Sequence, residues 1–149
     1  MMIKFGYINI LIATVVAFMF GSCEIETLDN GDLDGMWHLT KVDTLATSTT
    51  ADMGNKRIYW SFQARLLELD DKSGAHQSIL MRFEHNGAIL RLYDPYIYDR
   101  EDGDKALEDI TLLNPYGIVA PDETYTIESL NGSKMVLLSG TYRMYFTKL

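Results

Sequence analysis

The chain has 149 residues, 47% of them hydrophobic and 11% aromatic, with 21 acidic and 13 basic side chains. Its length fits one domain, and its apolar share belongs to a globular protein rather than a disordered one. A formal net charge of −8 argues against nucleic acid as a partner and sets the body against anionic headgroups, so membrane attachment needs a covalent or inserted anchor.

The amino terminus supplies one. Met1 to Tyr7 carry a single charge, Lys4, and Ile8 to Phe20 is a largely apolar run of 13 residues interrupted by Asn9, the layout of a secretory signal. Gly21 and Ser22 then precede Cys23, the only cysteine in the chain. Small residues before a lone cysteine resemble the bacterial lipobox, with Phe20 standing where that pattern has Leu or Val. The resemblance implies that Cys23 is acylated, palmitate being one such chain, and becomes the first residue after cleavage. Residues 1–22 are then a signal peptide; loss of Lys4 leaves 12 basic against 21 acidic side chains, a net charge of −9 over 127 residues. A membrane-spanning helix is the competing reading, yet Phe5 to Gly21 offers 17 residues, the lower limit for a bilayer core of about 30 Å. Each buried methylene of an acyl chain contributes about 0.8 kcal/mol, so one chain holds marginally and two or three hold for practical purposes permanently.

Residues 23–34 read as an acidic tether, with five acids and no base in the 11 residues from Glu24 to Asp34, too polar to pack and extended. Acids just after a lipidated cysteine resemble the surface-export signal of lipoproteins in Bacteroidota, interrupted here by Ile25. Asn30, Asp32, Asp34 and Gly35 mimic the start of an EF-hand loop, but Lys41 occupies the twelfth position, where a bidentate Glu is required, so no metal site is assigned.

Residues 35–149 show alternation of period two, the signature of half-buried strands. Trp37 and Leu39 share a face, as do Ile58, Trp60 and Phe62, then Ile79, Met81 and Phe83, then Leu90 and Leu92. Asn86-Gly87 and Asn131-Gly132 are hairpin signals because a type I′ turn needs positive φ at both central residues. With Ser139-Gly140, the second makes a three-strand meander of Tyr125 to Leu130, Lys134 to Leu138 and Tyr142 to Lys148. Seven acids between Asp94 and Asp109 mark a solvated loop, followed by a short helical turn around Leu107, Ile110 and Leu113 that Asn114-Pro115-Tyr116-Gly117 stops. Seven or eight short strands without a covering helix point to an all-β fold, a small antiparallel up-and-down barrel, with a sandwich as the alternative.

Gly35-Met36-Trp37 resembles the Gly-x-Trp signature of lipocalins. Taken with the lipobox, the acidic tether, the Pro115-Tyr116-Gly117-Ile118 corner and the closing Tyr142 to Lys148, the chain is similar to the lipocalin-like lipoproteins of Bacteroidota. The resemblance implies that Trp37 closes the barrel floor beneath an Arg from a late strand. Arg143 is the only late arginine, although its parity directs it away from the face of Met144 and Phe146.

The histidines His38, His76 and His85 have no spacing that makes a zinc site or a base for a nucleophile, and there is no phosphate loop or nucleophile elbow, so no catalytic residue and no cofactor is assigned. Inward aromatics and methionines instead suit an adaptable apolar pocket, with candidate lining residues Trp37, Trp60, Phe62, Met81, Phe83, Leu90, Tyr125 and Met144. The expected function is a membrane-anchored module of the cell envelope, on the outer membrane, that binds a small apolar or amphipathic ligand. The alternative is a non-catalytic accessory subunit of an envelope complex, its barrel filled by side chains.

Overall fold

The computed structural model describes residues 29–149. The expected signal peptide and lipidated Cys23 lie outside the described residues. Strands form at β1 (Gly35–Thr44), β2 (Thr49–Asp52), β3 (Ile58–Gln63), β4 (Leu66–Asp71), β5 (Ile79–Asn86) and β6 (Ile89–Ile97). They continue with β7 (Lys105–Ala106), β8 (Glu123–Leu130), β9 (Lys134–Leu138) and β10 (Tyr142–Lys148). All pairings are antiparallel, and the order β1-β3-β4-β5-β6-β8-β9-β10 returns to β1, closing an eight-stranded up-and-down barrel. The lower half of β1, Gly35 to His38, pairs with β3, and its upper half, Lys41 to Thr44, pairs with β2. Strand β7 adds a short rung to the upper part of β6. Among the described residues no helix is long and apolar enough to cross a membrane.

Period-two alternation explains which side chains fill the interior. In β3, Ile58, Trp60 and Phe62 are buried between the half-exposed Tyr59 and Ser61. Closure demands curvature, which bulges provide by inserting a residue and reversing parity. One lies at Thr40, between the pairs Leu39–Phe146 and Lys41–Tyr145, so Val42 rather than Lys41 follows Leu39 into the core. Another sits at Met81, opposite Asp94 and Pro95, where Asp94 has a φ of 50° and bends β6.

The hairpin turns differ from expectation in register. Asn86 pairs with Ile89, so the turn is Gly87-Ala88, and only Gly87 has a positive φ, 58°. That is the pattern of a turn needing glycine at its first central position. At the next hairpin Asn131 works through its side chain, whose Oδ1 accepts from the Ser133 and Lys134 N–H groups at 2.9 Å each. Ser139 does the same for β9–β10, its Oγ accepting from the Thr141 and Tyr142 N–H groups at 3.2 and 3.0 Å.

The residues from Asp29 to Asp34 are not an extended tether. Gly31–Leu33 form a 3-10 turn, Leu33 is fully buried, and Asn30 donates from Nδ2 to Asp34 Oδ1 at 2.6 Å and to the Ala64 carbonyl at 2.9 Å. The acids at the mimicked EF-hand positions thus include one, Asp34, whose two oxygens are both taken by Asn30. This turn and the three tight hairpins at Ala64-Arg65, Gly87-Ala88 and Asn131 to Ser133 form the floor, and the longer loops form the mouth.

Candidate functional site

The floor is set by Trp37, which is fully buried and donates from Nε1 to the Leu33 carbonyl at 2.8 Å. Its cross-strand partner is Lys148, whose ammonium stands 4.9 Å from the indole centroid and donates to the Asp32 carbonyl at 2.8 Å. Lysine therefore takes the place over the tryptophan that the resemblance gave to an arginine. Arg143 instead lies on the outer wall, bound to Glu128 Oε1 at 2.5 Å. The glycine two residues before the tryptophan has a physical reason: Gly35 has a φ of 122°, and a Cβ there would meet Lys148 Cε at 3.3 Å. Glycine admits both the backbone angle and the lysine stem.

Above the floor, all eight candidate lining residues face inward, and the most exposed of them, Phe83, is 6% accessible. Trp60 is the hub, with ring centroids 4.9 Å from Phe146, 6.1 Å from Tyr125 and 6.4 Å from Phe62, while Phe62 and Phe83 meet edge to face at 5.1 Å. Trp37, Met81, Leu90 and Met144 are fully buried around them. Among the described residues, the Tyr125 hydroxyl is the one buried side-chain polar atom with no protein partner in hydrogen-bond geometry, the Glu123 carboxylate beside it falling outside that geometry. Burial, with the Glu123 carboxylate close by, pushes that phenol well above the ordinary tyrosine range and holds it protonated.

The mouth is capped. A 3-10 helix spans Ile110–Tyr116, its first turn held by the Asp109 carboxylate, which accepts from the Thr111 N–H at 3.0 Å. It ends at Gly117, in the left-handed conformation. Leu113, Tyr116 and Ile118 are fully buried and plug the barrel from above. Trp60 Nε1 donates to the Tyr116 carbonyl at 3.2 Å, and the Tyr116 hydroxyl donates to the Gln77 carbonyl at 2.7 Å. Burial, reinforced by Asp70 and Asp71, raises the Tyr116 phenol too. The sequence placed a helical turn and a Pro-Tyr-Gly corner here but gave no sign that they form a stopper.

The histidines sit apart, in structural roles. His38 stacks on Tyr59 at 5.0 Å, and His85 bonds the Gly87 carbonyl at 3.0 Å. His76 Nδ1 binds Asp71 Oδ2 at 2.7 Å, and Asp71 Oδ1 also accepts from Ser73 Oγ at 2.6 Å. The carboxylate lies between the hydroxyl and the imidazole, so the imidazole does not contact the serine as a base would. Burial pushes the Asp71 carboxyl up, but the hydrogen bonds from Ser73 and His76 outweigh it and hold the group below the ordinary carboxylate value of 3.8. Among the described residues no cluster of three or more His, Asp or Glu is arranged to hold a metal.

A family model described as a lipocalin-like domain matches residues 18–149. Among solved structures, a lipocalin-like protein from Bacteroides uniformis ATCC 8492 is similar, with a TM-score of 0.61 and 19% identity over 80% of this chain and 100% of that one. An uncharacterized protein from Bacteroides eggerthii DSM 20697 has a TM-score of 0.55 and 15% identity over 78% of this chain and 99% of that one. At these identities the two share the fold with this chain. No curated protein matches.

Proposed function

Starting from the lipocalin-like domain family, to which this chain belongs, we propose that it is a non-catalytic, lipid-anchored protein of the cell envelope that binds a small amphipathic ligand inside its barrel. The Tyr125 hydroxyl carries this reading. A buried donor without a partner costs about 1–3 kcal/mol, and an acceptor on a bound molecule removes that cost while its apolar part replaces the plug. The plug is suited to leave, since Ile110 to Ile118 joins no strand ladder and hangs on side-chain packing and the bonds to Trp60 and Gln77. The chain meets the barrel at its floor through Asn30 and Ala64, so an acyl anchor at Cys23 leaves the mouth at the far end from the membrane.

Native mass spectrometry of the acylated protein from its own host is expected to show a retained mass that denaturation releases, and Tyr125→Phe to weaken its retention. Mass analysis of the Cys23 peptide tests the anchor, and an unacylated cysteine would overturn it. The second reading, an accessory subunit with a filled barrel, is favoured by the complete burial of Trp37, Trp60, Met81, Leu90 and Met144 against one another. Protein that carries no adduct, and whose Ile110 to Ile118 amides exchange no faster than the barrel strands, would decide for it.

A further inference from the structure

The outer wall has a feature that neither reading uses. The β4–β5 ladder ends at the pair Leu66–Arg82, whereas β5 and β6 run on together to Asn86–Ile89, so the wall steps inward below Leu66. At this step lies a cleft of about 440 Å³ lined by Arg65, Leu66, Arg82, Phe83, Glu84 and Tyr93, within the range of small-molecule sites, about 300–1,000 Å³. A second cleft of about 220 Å³ shares Leu66 and Arg82 and continues past Leu80, Met81 and Tyr96 to Asp104. Leu66 is 48% exposed between them.

Charge makes the trough unusual. Arg91, Arg100 and Arg143 all bind a side-chain partner, whereas among the described residues Arg57, Arg65 and Arg82 make no ion pair and no side-chain hydrogen bond, and of these three Arg65 and Arg82 line one cleft together. Two guanidinium groups without an ion-pair partner thus flank an exposed leucine on a body of strong negative charge. The two acids in the trough are already engaged, Glu84 with Arg91 at 3.5 Å and Asp104 with the Asp99 N–H at 3.0 Å.

We propose that this trough is a second binding site, for a single-chain anionic amphiphile of the fatty-acid type. Its carboxylate lies between Arg65 and Arg82, which present planar donor forks suited to it. Its chain runs over Leu66 toward Leu80 and Tyr96. A purely polar anion leaves the leucine and tyrosine surfaces uncovered, and a neutral lipid leaves both arginines unpaired.

The test uses the acylated protein in neutral phosphatidylcholine nanodiscs and a twelve-carbon fatty acid bearing a terminal diazirine, with mass mapping of the photolabelled peptides. Label is expected on the Leu66 to Asp71 and Leu80 to Tyr96 peptides, and to fall at least ten-fold in Arg65→Gln/Arg82→Gln. Arg65→Lys/Arg82→Lys is expected to retain most of it, and the corresponding diazirine alcohol to label weakly. Both arginines are exposed, so the variants fold. Labelling indifferent to the charge changes, or equal for the alcohol, overturns the proposal. Label confined to Tyr125 and Met144 and reduced by Tyr125→Phe also overturns it while supporting the interior site, so the two sites fail separately.

Discussion

Gly117 approaches Met144 so closely that a Cβ on the glycine would stand 2.5 Å from the methionine sulfur. The glycine that caps the stopper's 3-10 helix is thereby keyed to the barrel wall, and its φ of 81° independently favours glycine. Gly117→Ala is expected to lower stability by about 1–3 kcal/mol through overpacking and backbone strain together. Urea denaturation followed by tryptophan fluorescence reads the loss. Adding Met144→Ala relieves the collision but not the strain, so the alanine at 117 should cost less in that background; an equal cost in both would refute the steric account.

The pairing of Lys148 with Trp37 predicts a graded response. Lys148→Ala removes the cation from the indole and the stem from Gly35, and is expected to cost about 0.5–1 kcal/mol at this half-exposed site. Lys148→Arg keeps charge and reach and should sit close to the parent protein in thermal melting. A variant with arginine as unstable as the alanine variant would show that the ammonium on the Asp32 carbonyl, not the ring, is what matters.

Asp71 gives the molecule an acid-sensitive rim. Its carboxyl is depressed in the folded state, so its contribution is complete above the unfolded value near 3.8 and is lost as pH falls through the lower folded value. The difference in melting temperature between the parent and Asp71→Asn is therefore expected to narrow as pH falls below about 4. A difference that widens below that pH would reverse the assigned sign.

Tyr125→Phe offers a test of the interior in protein stripped of any bound molecule. Removing a buried hydroxyl that has no partner should raise stability, by about 1 kcal/mol and at most about 3. A drop on calorimetry would mean that the hydroxyl is satisfied in the unliganded barrel.

Where the sequence was readable, burial on one face made it so. β3, β9 and the run Ile79, Met81 and Phe83 of β5 announce themselves because their inner face is apolar, while β8, whose alternation breaks at a bulge after Ile127, is marked by the turn at Asn131. β4 escaped notice although Leu67 and Leu69 alternate properly. Its preceding turn is Ala64-Arg65, with Ala64 at a φ of 55° and neither Asn nor Gly present, and the apolar Leu66 lies on the outer wall. β2 offers no pattern, since Thr49, Thr50, Ala51 and Asp52 are all exposed and only pairing to β1 makes them a strand.

The site divides in the same way. Inward positions could be read by parity, and Trp37 by its glycine, but Lys148 lies 111 positions along the chain and meets it only because the last strand returns to the first. Parity counted correctly against Arg143, yet could not nominate a lysine. The stopper was invisible for another reason: Leu113, Tyr116 and Ile118 are buried through irregular backbone, which has no period to detect.

Because, among the described residues, β10 is the only partner on one side of β1, a ribosome must finish Tyr142 to Lys148 before the ring can shut. Until then Gly35 to Thr44 presents a bare hydrogen-bonding edge, the kind of surface that neighbouring chains recruit into aggregates. Late folding follows from such distant pairing. Loss of the codons for Tyr142 to Lys148 would leave an open, sticky sheet in place of a shortened barrel.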